Sequence, residues 1–101
     1  MLFVATLTHS PDLCFARPEH TETGRTFSDQ LSSRAEGFGV KVHAALITPN
    51  EHTLYFVLEG ESLESISEVL GPPILTHHTG RIAPVMPFPG AFTLSFVQGG
   101  S

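Results

Sequence analysis

Val40-Lys41-Val42-His43-Ala44-Ala45-Leu46-Ile47-Thr48-Pro49-Asn50-Glu51-His52-Thr53-Leu54-Tyr55-Phe56-Val57-Leu58-Glu59 is the stretch whose reading decides the fold. It reads as two strands joined by a short turn. In the first strand Val40, Val42, Ala44 and Leu46 form a wholly apolar face, and Lys41, His43, Ala45 and Ile47 form a mixed one. Thr48 to Glu51 carries turn chemistry. In the second strand Leu54, Phe56 and Leu58 alternate with Thr53, Tyr55 and Val57. Neither strand has a strongly polar face, which implies cover on both sides: helices on one and a second copy of the chain on the other.

Towards the N-terminus, Phe27, Leu31, Ala35 and Phe38 recur at helical spacing between Thr23 and the pair Gly37 and Gly39. The segment is rich in Ser, so packing rather than propensity must hold it. A further strand occupies residues 2 to 8 and ends at Ser10-Pro11-Asp12, with a loop through Arg17 and Pro18. Towards the C-terminus, Ser62 suits the N-cap of a short helix carrying Leu63, Ile66, Val69 and Leu70, which Gly71-Pro72-Pro73 is expected to stop. Residues 81 to 86 read as a fourth strand, and Pro84 assigns it to a sheet edge.

The resulting order is βαββαβ. It predicts an α+β, ferredoxin-like domain with a four-stranded antiparallel sheet and two helices on one face. Residues 2–86 form the core of a single domain spanning 1–101, and 87–101 form a tail. In the tail Phe92, Leu94 and Phe96 alternate with Thr93 and Ser95, a strand-like pattern expected to join an edge strand or cross to a partner. Gly99, Gly100 and Ser101 are expected to be loose.

With 101 residues the chain is the size of one domain, and a small core gains from a partner that covers apolar surface. Charged residues make up 15 %, below the ~25 % of an average soluble chain, again suggesting more than one covered face. Five Lys and Arg stand against ten Asp and Glu, for a net charge of −5 with no basic run, which argues against nucleic acid as a partner. The lone Cys14 cannot form an internal disulfide and fits a reducing compartment. The N-terminus lacks the basic region of a signal peptide, and no segment approaches the ~20 apolar residues of a membrane span. A cytoplasmic location is the expectation.

Thr8-His9-Ser10-Pro11-Asp12-Leu13-Cys14, after the first strand, resembles the signature of a group of small uncharacterised dimeric α+β barrel proteins. Gly39-Val40-Lys41-Val42, His52 to Glu59 and the closing Pro84-Val85-Met86 are similar as well, so the likeness spans roughly residues 2 to 86. It implies two sheets packed face to face in a homodimer or an assembly of dimers, with a space between sheet and helices that often holds a ligand. That superfamily includes cofactor-independent monooxygenases, isomerases, haem enzymes and ligand-binding modules. The motifs do not choose among them, since fold alone is no warrant for function.

Six histidines beside five Lys and Arg is an unusual ratio, and the expected topology concentrates them. His9 ends the first strand, His52 opens the third, and His77 and His78 precede the fourth; all of these places lie at one end of the sheet. Cys14, and with it His20, occupies the loop leaving the first strand at that end. Imidazole and thiolate suit a divalent transition metal such as Zn, Ni or Cu. The candidate ligands are His9, Cys14 and His52, with His77 or His78 next and Asp12 as an outer acceptor. The plainer reading is a rim of solvated histidines. For Cys14 the alternatives are a thiolate nucleophile or a small buried hydrophobe. A second candidate site lies on the mixed face, where Lys41, His43, Thr53 and Tyr55 offer a wall for a small-molecule pocket or for interface packing. A purely structural or regulatory module is the third reading. Reaction and catalytic residues are not identified by the sequence.

Overall fold

The computed structural model describes residues 1–88. The expected strand through Phe92, Leu94 and Phe96 and the expected loose Gly99 to Ser101 lie outside the described residues. Within them β1 (Leu2–Thr8), α1 (Pro18–Gly37), β2 (Lys41–Thr48), β3 (Thr53–Glu59), α2 (Leu63–His77) and β4 (Thr79–Val85) follow in the order βαββαβ. The four strands form one antiparallel sheet in the order β2-β3-β1-β4, an arrangement consistent with the ferredoxin-like expectation. β4 is an edge, as Pro84 requires. No helix of the described residues is long and apolar enough to cross a membrane.

The core forms where one face of the two central strands meets the helices. Phe3, Ala5 and Leu7 of β1 and Leu54, Phe56 and Leu58 of β3 pack against Phe27 and Ala35 of α1 and Ile66, Val69, Leu70 and Ile74 of α2. The Phe27 and Phe56 rings meet edge to face, with centroids 6.0 Å apart. Leu31 is half-buried, whereas Phe38 caps the end of α1 and stands exposed.

β2 departs from the simple alternation. Val42 pairs with Leu58 but Ala44 pairs with Val57, so one extra residue, His43, is accommodated as a bulge. Beyond a bulge the side-chain faces exchange, because strand periodicity is two. Ala45 and Ile47, opposite Phe56 and Leu54, therefore turn towards the helices, while Ala44 and Leu46 join the open face. That reverses the assignment from the unbroken pattern. On the open face Leu46, Tyr55, Thr6 and Arg81 lie in register, as do Ala44, Val57, Val4 and Ala83.

Both helices extend further than their apolar patterns. α1 begins at Pro18, because proline at the first helical position has its φ preset and lacks only an N–H that would go unused. The Thr21 hydroxyl donates to the Arg17 and Phe15 carbonyls and ties this turn down. His20 therefore belongs to a helix, not to the preceding loop. Ser62 caps α2 as expected, its hydroxyl accepting the Ser65 N–H at 3.2 Å. Gly71 (φ 38°, ψ −169°) and Pro72 (ψ 139°) break α2, but helix resumes beyond them and runs to His77. The expected stop is thus a kink. A Cβ on Gly71 would lie 2.5 Å from the Arg34 guanidinium, so glycine serves both the backbone and the close approach. Arg34 in turn donates to the Glu68 carbonyl at 2.7 Å, satisfying a carbonyl at the break.

Candidate metal centre

The centre forms where β1 runs out. Thr8 is the last residue of β1 in register with both β3 and β4, opposite Thr53 and Thr79. His9 follows, and its N–H donates to the His52 carbonyl at 3.0 Å, extending the ladder by one bond. His52 closes the 3₁₀ turn Pro49–Glu51 in the left-handed region, at φ 53° and ψ 41°. It is the one non-glycine residue with positive φ among the described residues. Such a backbone costs on the order of 1 kcal/mol or more and is typical of functional positions. Cys14 ends the other 3₁₀ turn, Pro11–Leu13, and its Sγ accepts the Ala16 N–H at 3.4 Å.

The donor atoms of His9, Cys14 and His52 lie within 4.8 Å of one another. The His9 and His52 ring centroids are 5.3 Å apart. Two imidazoles on one tetrahedral ion, with metal–nitrogen bonds of ~2.0–2.1 Å, place their centroids about 5 Å apart. The spacing of this pair fits an ion between them, and three donors leave one tetrahedral position for water or a small ligand.

A hydrogen-bond chain fixes the state of His9. His78 Nδ1 lies 2.9 Å from the Ile74 carbonyl, which can only accept, so that nitrogen carries the proton. His78 Nε2 then accepts from His9 Nδ1–H at 2.9 Å. His9 Nε2 is left with its lone pair free, buried and without a hydrogen-bond partner among the described residues. Burial, then the neighbouring His78 and His52, push the His9 pKa below its ordinary 6.5. His78 is pushed down as well, by burial, against the opposing pull of the Ile74 carbonyl. Both rings are thus held neutral, the form in which imidazole binds metal.

The five sequence candidates separate into three roles. His9, Cys14 and His52 come together. His78 touches His9 and has both nitrogens engaged, so it orients His9 and holds its tautomer. His77 pairs instead with His20, at a centroid distance of 5.8 Å. Phe15 stands between the two groups, 6.2 Å from His9, 5.8 Å from His78 and 6.5 Å from His77. Asp12 is exposed, and the Ser10 hydroxyl beside it holds its carboxyl below the usual carboxylate range.

Phe15 and Gly24 are parts of the centre that sequence reasoning missed. A Cβ on Gly24 would lie 2.6 Å from the Phe15 ring, so the bare backbone of α1 is what seats Phe15 and, with it, the Cys14 loop. The available signal was a glycine in mid-helix, a costly choice that often marks a close approach. Phe15 also walls an apolar cleft of about 200 Å³ between α1 and the sheet, lined further by Phe27, Leu31, Ile47, Leu54 and Phe56.

The second sequence candidate is spread along the sheet. Lys41 is opposite Glu59, and His43 Nε2 lies 2.7 Å from the Glu59 carboxylate, both exposed. Thr53 is buried near the opposite end, its hydroxyl 3.1 Å from that of Thr8 and donating to the Glu51 carbonyl. Tyr55 is half-buried between Thr6 and Leu46.

Comparison with known proteins adds no assignment: a scan against protein-family models found no match, and neither did a search of curated proteins.

Proposed function

We propose that the chain is a small transition-metal-binding domain, with His9, Cys14 and His52 as ligands and His78 as the residue that orients His9. One observation carries the reading. A buried imidazole lone pair, held unprotonated by a neighbour and left without a donor, faces an unexplained cost unless a cation meets it. The nearby thiol and second imidazole supply the donors that Zn, Ni or Cu prefer. A free thiol among the ligands suits a reducing compartment such as the cytoplasm. The fourth position takes water or a small ligand, and the apolar cleft behind Phe15 suits an apolar portion of such a molecule.

The same reading makes the protein a homodimer of the dimeric α+β barrel kind. Its support is the open face of the sheet, where Val4, Ala44, Leu46, Val57 and Ala83 present apolar side chains without a helix over them among the described residues.

Elemental analysis of the untagged protein tests the metal reading, with a Cys14→Ser, His52→Ala double variant as control. Near one equivalent of metal, lost in the variant, is the expected result. A protein that is metal-free as isolated and takes up no added Zn²⁺, Ni²⁺ or Cu²⁺ overturns it.

A further inference from the structure

His20 and His77 are titratable groups that the centre does not use. They come from elements far apart in sequence, His20 from the first turn of α1 and His77 from the last turn of α2. Both are half-buried, and His77 Nδ1 is buried without a partner among the described residues. Their rings lie edge to face, with centroids 5.8 Å apart and planes at 75°. With ~2.0–2.1 Å bonds, two imidazoles on one ion span centroid distances from about 5 Å at a tetrahedral angle to over 6 Å when nearly linear. The observed spacing falls inside that range.

The surroundings also favour a cation. The exposed carboxyls of Asp12 and Glu19 lie near enough to His20 to act on it by charge. Arg17 pairs with Glu19 at 3.1 Å, and Asp12 makes no ion pair within 4.0 Å among the described residues. His77 is adjacent in sequence to His78, which touches His9. Phe15 contacts rings of both groups, so the outer pair lies one aromatic ring from the inner three donors.

We propose that His20 and His77 form a second, weaker transition-metal site, an outer station from which an ion passes to His9, Cys14 and His52. The outer site stands on its own geometry; only the transfer rests on the inner centre's binding metal. Two donors hold an ion less tightly than three, so the gradient of affinity runs inward. The transfer is ligand exchange without any electron transfer: the two imidazole–metal bonds broken outside are replaced by two formed inside, and the Cys14 thiol gives up its proton to water as its sulfur binds the ion.

Zn²⁺ titration of the metal-free protein, followed by calorimetry and by the imidazole proton resonances, tests the proposal. Two binding steps are expected, with the weaker one shifting His20 and His77. In a His20→Ala, His77→Ala variant the weaker step is lost and the tighter one stays. Co²⁺ uptake by the inner site, followed by its thiolate absorption in stopped flow, is slower in that variant. A wild-type titration in which His20 and His77 do not respond overturns the outer site, whether or not the variant folds. Unchanged Co²⁺ uptake in a folded variant overturns the transfer. A protein that binds Zn²⁺ at His20 and His77 alone supports the outer site and overturns the inner centre.

Discussion

At one end of the sheet His43 stands exposed with its Nε2 2.7 Å from the Glu59 carboxylate, while at the other His9 lies 4 % exposed with another imidazole as its partner. The first arrangement is ordinary surface chemistry: water solvates both groups, and either can be lost at little cost. The second is expensive. Burial and two neighbouring imidazoles disfavour a charge on His9, and the tautomer set by His78 leaves its outward nitrogen without a donor. The same side chain thus serves as a solvated partner at one end and as a buried imidazole with an unpartnered lone pair at the other. What differs is the depth of the position and the partner, not the residue type.

The largest effect that would break this contrast comes from His9→Ala. It is expected to abolish metal uptake and to destabilise the metal-free chain by about 1–3 kcal/mol, since His78 Nε2 loses its donor inside the protein. Metal analysis and urea unfolding check the two halves, and full metal retention would remove the distinction between the ends. Next comes His78→Ala, which leaves the three proposed ligands, His9, Cys14 and His52, in place. It should weaken metal affinity by roughly 10–100-fold, the usual cost of losing an orienting partner, as read by competition with a chelator.

Gly24→Ala sharpens the point, because two effects of known size oppose each other. Alanine normally gains about 1 kcal/mol over glycine in mid-helix. Here the added methyl meets the Phe15 ring at 2.6 Å, and overpacking costs typically ~1–3 kcal/mol. A lower melting temperature and a perturbed Co²⁺ spectrum are expected; a higher melting temperature would show that Phe15 does not fix the Cys14 loop.

Acid should separate the ends further. His9 and His78 have native pKa values below 6.5, so as pH falls through that value the unfolded chain takes up protons that the fold refuses. Stability of the metal-free chain is therefore complete above about pH 6.5 and declines below it. Metal is released over the same descent as protons compete for the ligands. Denaturant midpoints across the pH range measure the first trend, and a flat profile would contradict the neutral state assigned to the pair. The smallest effect is expected from Glu59→Gln, which should leave both unfolding and metal content indistinguishable from wild type.

The rim was legible because topology alone collects it. Once β1, β3 and β4 are placed, the residue after β1, the one before β3 and the one before β4 must share an end of the sheet. The division within the rim was not legible. It depends on helix resuming after Gly71, which sets the directions of His77 and His78, and on the start of α1 at Pro18, where a polar run from Pro18 to Thr26 hides the helical period. The bulge at His43 was equally hidden, since no Gly or Pro marks it and the side chains on both sides fit an unbroken strand. Its cost to the reading was the exchange of Ala44 and Leu46 with Ala45 and Ile47.

That bulge has a bearing on growth of the sheet. β2 and β4 are its two margins among the described residues. β2 carries the irregularity at His43, with Lys41 two residues before it, and β4 carries Pro84, which has no N–H to offer. A straight incoming strand finds neither margin regular over its whole length. The described margins therefore offer little template for edge-to-edge growth of the sheet through its backbone.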